Sequence, residues 1–159
     1  MTTTTTAKTL AAPAPILKLL KTYGAFEARL NAQTWFKGLV LLAVRLWIAQ
    51  FFMFSGLTKI KSWPATIALF TDEYHVPLLP PNIAAVLSAM AELSLPVFLV
   101  LGLFTRFAAL AFFLMTLVIE LFVYPGTTEN YYIFLLTFVL ISHGSGLFGA
   151  DYWAAKSKV

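Results

Sequence analysis

Five polar residues lie within or at the ends of the long apolar segments of the sequence: Arg45, Gln50, Lys59, Glu92 and Glu120. A charged side chain inside a lipid bilayer is costly, so it needs an opposite charge, water or a proton. Such residues mark ligand pockets and proton pathways, or they form structural ion pairs. We predict that these five residues form a polar network in the core of the protein.

Glu92 is the most costly of these residues, because it lies near the middle of the apolar stretch 83–106. At a helical rise of 1.5 Å per residue, Arg45 lies about 9 Å from the cytoplasmic end of its span, and Gln50 and Glu92 both lie about 16 Å deep. We therefore predict an Arg45–Glu92 pair that Gln50 assists. Two interpretations stay open: a pocket that binds a polar head group or passes protons, and an ion pair that fixes the helix register.

Glu120 is a second acid without an obvious partner. It lies about 20 Å from the cytoplasmic end of the third span and so close to its outer end. Lys59, at the outer end of the first span, could reach toward it. If Lys59 does not, desolvation favours the neutral carboxyl, and Glu120 is expected to carry a proton or to donate a hydrogen bond.

The composition indicates an integral membrane protein. Of the 159 residues, 60% are hydrophobic and 11% are charged, against about 25% charged residues in soluble domains. The basic residues that give the net charge of +4 lie mostly near the two ends, which favours contact with anionic lipid and not with nucleic acid. The chain contains no cysteine, and His75 and His143 are expected on opposite sides of the membrane, so no metal site is expected.

Four apolar runs have about the 20 residues that a bilayer core requires, and we place them at 39–57, 83–103, 107–124 and 131–149. The sequence thus predicts an all-α membrane protein with four transmembrane helices in a bundle. This domain, 39–152, follows a disordered tail at 1–15 and an amphipathic helix at 16–38, and a cytoplasmic tail at 153–159 ends the chain. In the long first connection, Pro64 predicts the start of a short helix on which Trp63, Ile67 and Phe70 share a face.

The distribution of basic residues predicts the orientation. Eight Lys and Arg residues outside the spans fall on the side of the termini and two on the other side. By the positive-inside rule, both termini are cytoplasmic.

Several segments together resemble the DoxX family of small bacterial membrane proteins. They are Arg45, "FSGLTKI", "AELSLPVFLVLGLFTRFAAL", "MTLVIELFVYP" and "HGSGLFGAD", and the resemblance covers about 40–152. It implies a four-helix bundle in the bacterial inner membrane. The matching motif positions are those of Arg45, Gly56, Lys59, Glu92, Gly102, Arg106, Gly144, Gly146 and Asp151. His143 stands where a basic residue is frequent, and we expect it to mark the cytoplasmic end of the fourth span.

The resemblance also directs the functional prediction. The family takes its name from a subunit associated with a quinone-linked oxidase, and relatives are linked to membrane complexes that handle oxidative and thiol stress. We therefore expect a non-catalytic subunit of a redox-linked assembly, with quinone as the candidate ligand and a membrane or peripheral oxidoreductase, or further copies of the chain, as partners. One alternative is a small oligomeric transporter or a proton or cation pathway. A quinone-linked oxidoreductase in its own right ranks last, because the sequence contains no nucleotide motif.

Overall fold

The structure is a computed structural model. It describes residues 34–74 and 79–157, together with Pro15, Lys18, Thr22 and Tyr23. The regular elements within 34–74 and 79–157 are all helices: α1 (Thr34–Lys61), α2 (Trp63–Asp72), α3 (Pro81–Leu101), α4 (Thr105–Phe122), α5 (Thr128–His143) and α6 (Ala150–Lys156).

The predicted N-terminal tail and most of the predicted amphipathic helix at 16–38 lie outside the described residues. Those that are described, such as Lys18 and Thr22, are helical, and the Thr22 hydroxyl donates a hydrogen bond to the Lys18 carbonyl at 2.9 Å. Helix α1 already begins at Thr34, so the end of the predicted amphipathic segment belongs to the first long helix.

Three helices, α1, α3 and α4, are long and apolar enough to cross a membrane. The prediction of a multi-pass membrane protein is confirmed. Helix α5 overlaps the fourth predicted span, 131–149, but already ends at His143. It has 16 residues, fewer than the roughly 20 that a hydrocarbon core requires. The fourth crossing therefore stays a prediction.

The core lies between two helix pairs, α1 with α3 and α4 with α5. The rings of Phe52 and Phe112 stack at its centre, with 4.1 Å between ring centroids. Many large apolar side chains point outward instead, and Met90 on α3 and Leu135 on α5 are 62% and 64% exposed. An apolar exterior of this extent suits contact with lipid.

Helices α1 and α3 pack closely in one antiparallel register. A Cβ atom at Gly56 of α1 would lie 3.1 Å from the Cβ of Glu92 and 3.0 Å from Leu93 on α3, so the backbones approach each other at this point. At the other end of the pair, Arg45 of α1 lies against Gly102, the residue that ends α3. This register decides which polar residues can meet.

The short helix α2 begins at Trp63 with Pro64 in its first turn, as the sequence predicts. Its face formed by Trp63, Ile67 and Phe70 packs against the start of α3. The Thr66 hydroxyl donates hydrogen bonds to the Lys59 carbonyl at 2.9 Å and to the Ser62 carbonyl at 3.2 Å. These bonds satisfy carbonyl groups at the end of α1 and fix α2 on the bundle.

Two glycines with positive φ allow a matched test of packing at the end of α3. Gly102 has φ +66° and lies against Arg45, whereas Gly126 has φ +78° and no atom near the position of a Cβ. Backbone strain should lower the free energy of unfolding by about 1 kcal/mol in both Gly126→Ala and Gly102→Ala. In Gly102→Ala, the added methyl group also overpacks against Arg45, which should lower the free energy of unfolding by roughly a further 1–3 kcal/mol.

The measurement is the free energy of unfolding of the purified protein in detergent. Equal losses for Gly102→Ala and Gly126→Ala would contradict the close contact between Gly102 and Arg45.

Candidate ligand cavity and its ion pair

A cavity of about 510 Å³ lies among α1 to α5, at the end of the bundle where α1 ends and α3 begins. Its volume is in the range of small-molecule sites. Most of the wall is apolar, and a few polar groups converge on it. The wall residues best suited to bind a ligand are Phe52, Ser55, Lys59, Phe70, Tyr74, Ser88, Ala91, Glu92, Tyr124 and Asn130.

An ion pair between Lys59 and Glu92 forms part of this wall. Lys59 Nζ lies 2.9 Å from Glu92 Oε1 and 2.7 Å from Oε2, and the two side chains are 18% and 3% exposed. In so apolar an environment, either charge without its partner would strongly destabilise the fold. Lys59 also lies in the last turn of α1, where the helix dipole favours a cation.

Two serines complete the environment of the pair. The Ser55 hydroxyl accepts a hydrogen bond from Lys59 Nζ at 3.0 Å, and the Ser88 hydroxyl donates one to Glu92 Oε1 at 2.8 Å. Each serine lies one helical turn before the charge that it contacts. That spacing, Ser55 with Lys59 and Ser88 with Glu92, is a signal in the sequence that the prediction overlooked.

The predicted Arg45–Glu92 pair is wrong, because the helix register separates the two side chains. Gly56 is the residue of α1 that faces Glu92, and Arg45 lies about 16 Å further along the helix axis. The predicted depths of Arg45 and Glu92 are each counted from the end of a different span, so they do not reveal this offset. Lys59, which the sequence placed near Glu120, is the partner of Glu92 instead.

Arg45 is fully buried at the other end of the bundle. Its Nη2 donates a hydrogen bond to the Phe148 carbonyl at 3.0 Å, and it is attracted by the charge of Asp151. The Asp151 carboxylate in turn accepts hydrogen bonds from the backbone N–H groups of Phe104 and Thr105, both at 2.8 Å. Arg45 therefore ties the segment after α5 to α1, and Asp151 ties it to the turn between α3 and α4.

Gln50 does not belong to a core network, which corrects the prediction. Its side chain is exposed, since five positions along a helix turn a side chain by about 140° away from the buried Arg45. It lies in a shallow groove on the outside of α1.

Glu120 joins α4 to α5 and is not a partner of Lys59. Its two oxygens accept hydrogen bonds from Gly126 N and Asn130 Nδ2, each at 2.8 Å, and Oε1 accepts a longer one from the Tyr131 hydroxyl at 3.4 Å. Glu120 is therefore an acceptor in these contacts and not the hydrogen-bond donor that is one of its two predicted roles; the other role, a proton carrier, stays a prediction. As the sequence predicts, Glu120 lies near the end of its helix, in the last turn of α4. The donors of the following turn are therefore within its reach.

The remaining motif residues lie where α5 ends. The Arg106 Nη2 donates a hydrogen bond to the Ser142 carbonyl at 3.3 Å. His143 is the last residue of α5, so its predicted position at a helix end is confirmed. Gly144 follows beside Arg106, and Gly146 lies against Leu41 of α1.

Two tyrosines connect separate parts of the cavity wall. Tyr74, after α2, and Tyr124, after α4, have hydroxyl oxygens 3.3 Å apart and rings in edge-to-face contact at 5.6 Å. Burial and the hydrogen bond with Tyr124 raise the pKa of Tyr74 above its usual value. Tyr74 therefore stays protonated and keeps its hydroxyl hydrogen at physiological pH.

The ion pair gives a direct prediction about stability. Glu92→Gln leaves the Lys59 charge without its partner and should lower the free energy of unfolding by about 3 kcal/mol. Glu120→Gln keeps an acceptor oxygen for its neighbours, so it should lower the free energy of unfolding by less than Glu92→Gln does. Removal of both charges in Lys59→Met/Glu92→Gln should recover part of the loss.

Unfolding of the three variants in detergent, followed by circular dichroism, measures these differences. Near-wild-type stability of both Glu92→Gln and Glu120→Gln would contradict the role of the pair.

Comparison with known proteins agrees with the resemblance in the sequence. The family model DoxX matches residues 40–125, more than half of the chain, and this range includes Lys59, Glu92 and most of the cavity wall. No curated protein and no solved structure gives a match. Three of the helices in the described part of the chain are able to span a membrane, and the family match shows that this protein belongs to the DoxX family.

Proposed function

We propose that the protein is a ligand-binding membrane subunit whose cavity takes a quinone-like molecule or another small apolar ligand with a polar head group. The observation that carries this proposal is the cavity of about 510 Å³ with the Lys59–Glu92 pair in its wall. A mostly apolar pocket with a few convergent polar groups is the usual form of a small-molecule site.

The shape of the wall supports a planar head group. The rings of Phe52 and Phe70 are both almost fully buried, and Tyr74 contacts Phe70 edge to face, with 5.0 Å between ring centroids. All three line the cavity. Flat aromatic surfaces favour stacking with a planar ring.

The polar side of the wall supports recognition of a carbonyl or hydroxyl group. The Ser55 hydroxyl accepts a hydrogen bond from Lys59 and can donate its own hydrogen to a ligand oxygen. The Lys59 ammonium group adds a positive charge beside that oxygen, which strengthens the hydrogen bond in an apolar environment. Glu92 holds the ammonium group in position through both carboxylate oxygens.

We further propose four membrane crossings, with α5 as the last. Both ends of α5 are bonded to the ends of α4: Asn130 to Glu120 at 2.8 Å and Ser142 to Arg106 at 3.3 Å. A helix attached in this way runs alongside a spanning helix over its whole length, and a short span can be accommodated by local thinning of the bilayer. Four crossings place both termini on one side, which the basic residues indicate to be the cytoplasmic side of a bacterial inner membrane.

We propose that a redox role involves a second protein. The chain contains no cysteine and so carries no thiol redox centre. We propose that the cavity holds or delivers a ligand for a membrane or peripheral oxidoreductase, in line with the expectation for the DoxX family.

Quinone binding by the purified protein tests the proposal. Decylubiquinone should quench the intrinsic tryptophan fluorescence in nanodiscs in a saturable way. Ala91→Phe places a ring in the cavity and should weaken the binding at least tenfold. Met90→Phe is the matched control, since Met90 is the adjacent residue, faces outward and does not line the cavity; it should bind as the wild type does.

Quenching that does not saturate in the wild type, or that is equal for Ala91→Phe and Met90→Phe, would overturn the proposal for quinone-like ligands.

A further inference from the structure

The outer face of α1 carries a polar side chain where lipid is expected. Gln50 is exposed and lies about 16 Å from the end of α1 at Lys61, well inside the span. Its carboxamide makes no hydrogen bond with any residue of the described ranges 34–74 and 79–157. Because hydrocarbon offers no hydrogen-bond partner, an exposed amide at this depth is costly unless another protein helix covers it.

The surroundings of Gln50 form a surface that another helix can contact. A shallow groove of about 470 Å³ is lined by Trp47, Gln50, Phe51, Phe54, Ser55 and Thr58, which we call the Gln50 face. The rings of Trp47 and Phe51 stack at 5.9 Å with an interplanar angle of 16°. The Thr58 hydroxyl already donates to the Phe54 carbonyl at 2.9 Å, and the Ser55 hydroxyl already accepts from Lys59.

We propose that the Gln50 face is the contact between two copies of this chain in the membrane. Copies of one chain insert with the same orientation, so a two-fold axis along the membrane normal places identical residues at the same depth. A carboxamide both donates and accepts hydrogen bonds, and two Gln50 side chains facing each other across the axis can therefore satisfy one another. No charged residue lines the face, so two copies do not repel each other there.

Cysteine cross-linking tests the contact directly, because the chain has no cysteine of its own. Gln50→Cys in native membranes should form a disulfide-linked dimer on oxidation with copper phenanthroline. Phe54→Cys, one turn further on the same face, should also cross-link, though less completely. Leu114→Cys is the control, since Leu114 is 51% exposed in the middle of α4 and lies outside the Gln50 face.

Equal cross-linking at Leu114→Cys and Gln50→Cys would overturn the proposal, because it would show random collision. A Gln50→Cys product with a different protein in place of the dimer would also overturn it, and would identify the occupant of the face as another membrane protein.

The contribution of the amide itself is measured by energy transfer between donor-labelled and acceptor-labelled copies in liposomes. Gln50→Leu should weaken the association about tenfold, the effect expected for loss of interhelical hydrogen bonds in a membrane. This variant is more compatible with lipid than the wild type is, so a failure to fold is not expected. Association equal to that of the wild type, or a wild-type protein that stays monomeric, would overturn the proposal.

Discussion

An ammonium group and a carboxylate in an apolar environment must lie against each other, and the Lys59–Glu92 pair imposes this constraint on the protein. The pair joins the end of α1 to the middle of α3, and the nearby Gly56 lets the two backbones approach closely enough for it to form. Once α1 and α3 are fixed in this register, α2 is positioned by the bonds of Thr66 to the end of α1. The cavity then follows from the space left between these helices and α4 and α5. The same pair that fixes the register therefore also supplies the polar side of the cavity wall.

The opposite end of the bundle uses a second set of polar contacts with a different consequence. Arg45 reaches the Phe148 carbonyl, and Asp151 accepts hydrogen bonds from the first N–H groups of α4. Gly102 and Gly149 approach Arg45 closely, and the Arg45 side chain is fully buried beside them. Charged residues at one end thus hold the chain together, whereas those at the other end border a space that can hold a ligand. The two interpretations that the sequence left open, a structural link and a pocket, apply to different residues: Arg45 to the first and Glu92, in our proposal, to the second.

Much of the helical organisation follows from the sequence because it depends on local properties. Apolar length predicts the three spanning helices, and Pro64 predicts the start of α2. The partners of the charged residues could not be predicted in the same way. Pairing depends on helix register and rotation, and an error of a few residues in a span moves a side chain by about 5 Å along the axis. For this reason depth along the spans alone pairs Arg45 with Glu92, and it places Gln50 in the core although Gln50 lies on the exposed side of α1. The serines one turn before Lys59 and Glu92 were the local signal that distinguished these charges from Arg45.

Photolabelling shows whether the cavity beside Lys59 and Glu92 holds a small apolar ligand. A quinone that carries an azido group would be irradiated with the protein in nanodiscs, and the modified residues would be mapped by mass spectrometry. We expect adducts on α1 and α3 residues of the cavity wall, such as Phe52, Ser88 and Ala91, and we expect unlabelled decylubiquinone to suppress them. Adducts confined to outward residues such as Phe107 and Leu135, which are 69% and 64% exposed, would contradict this expectation.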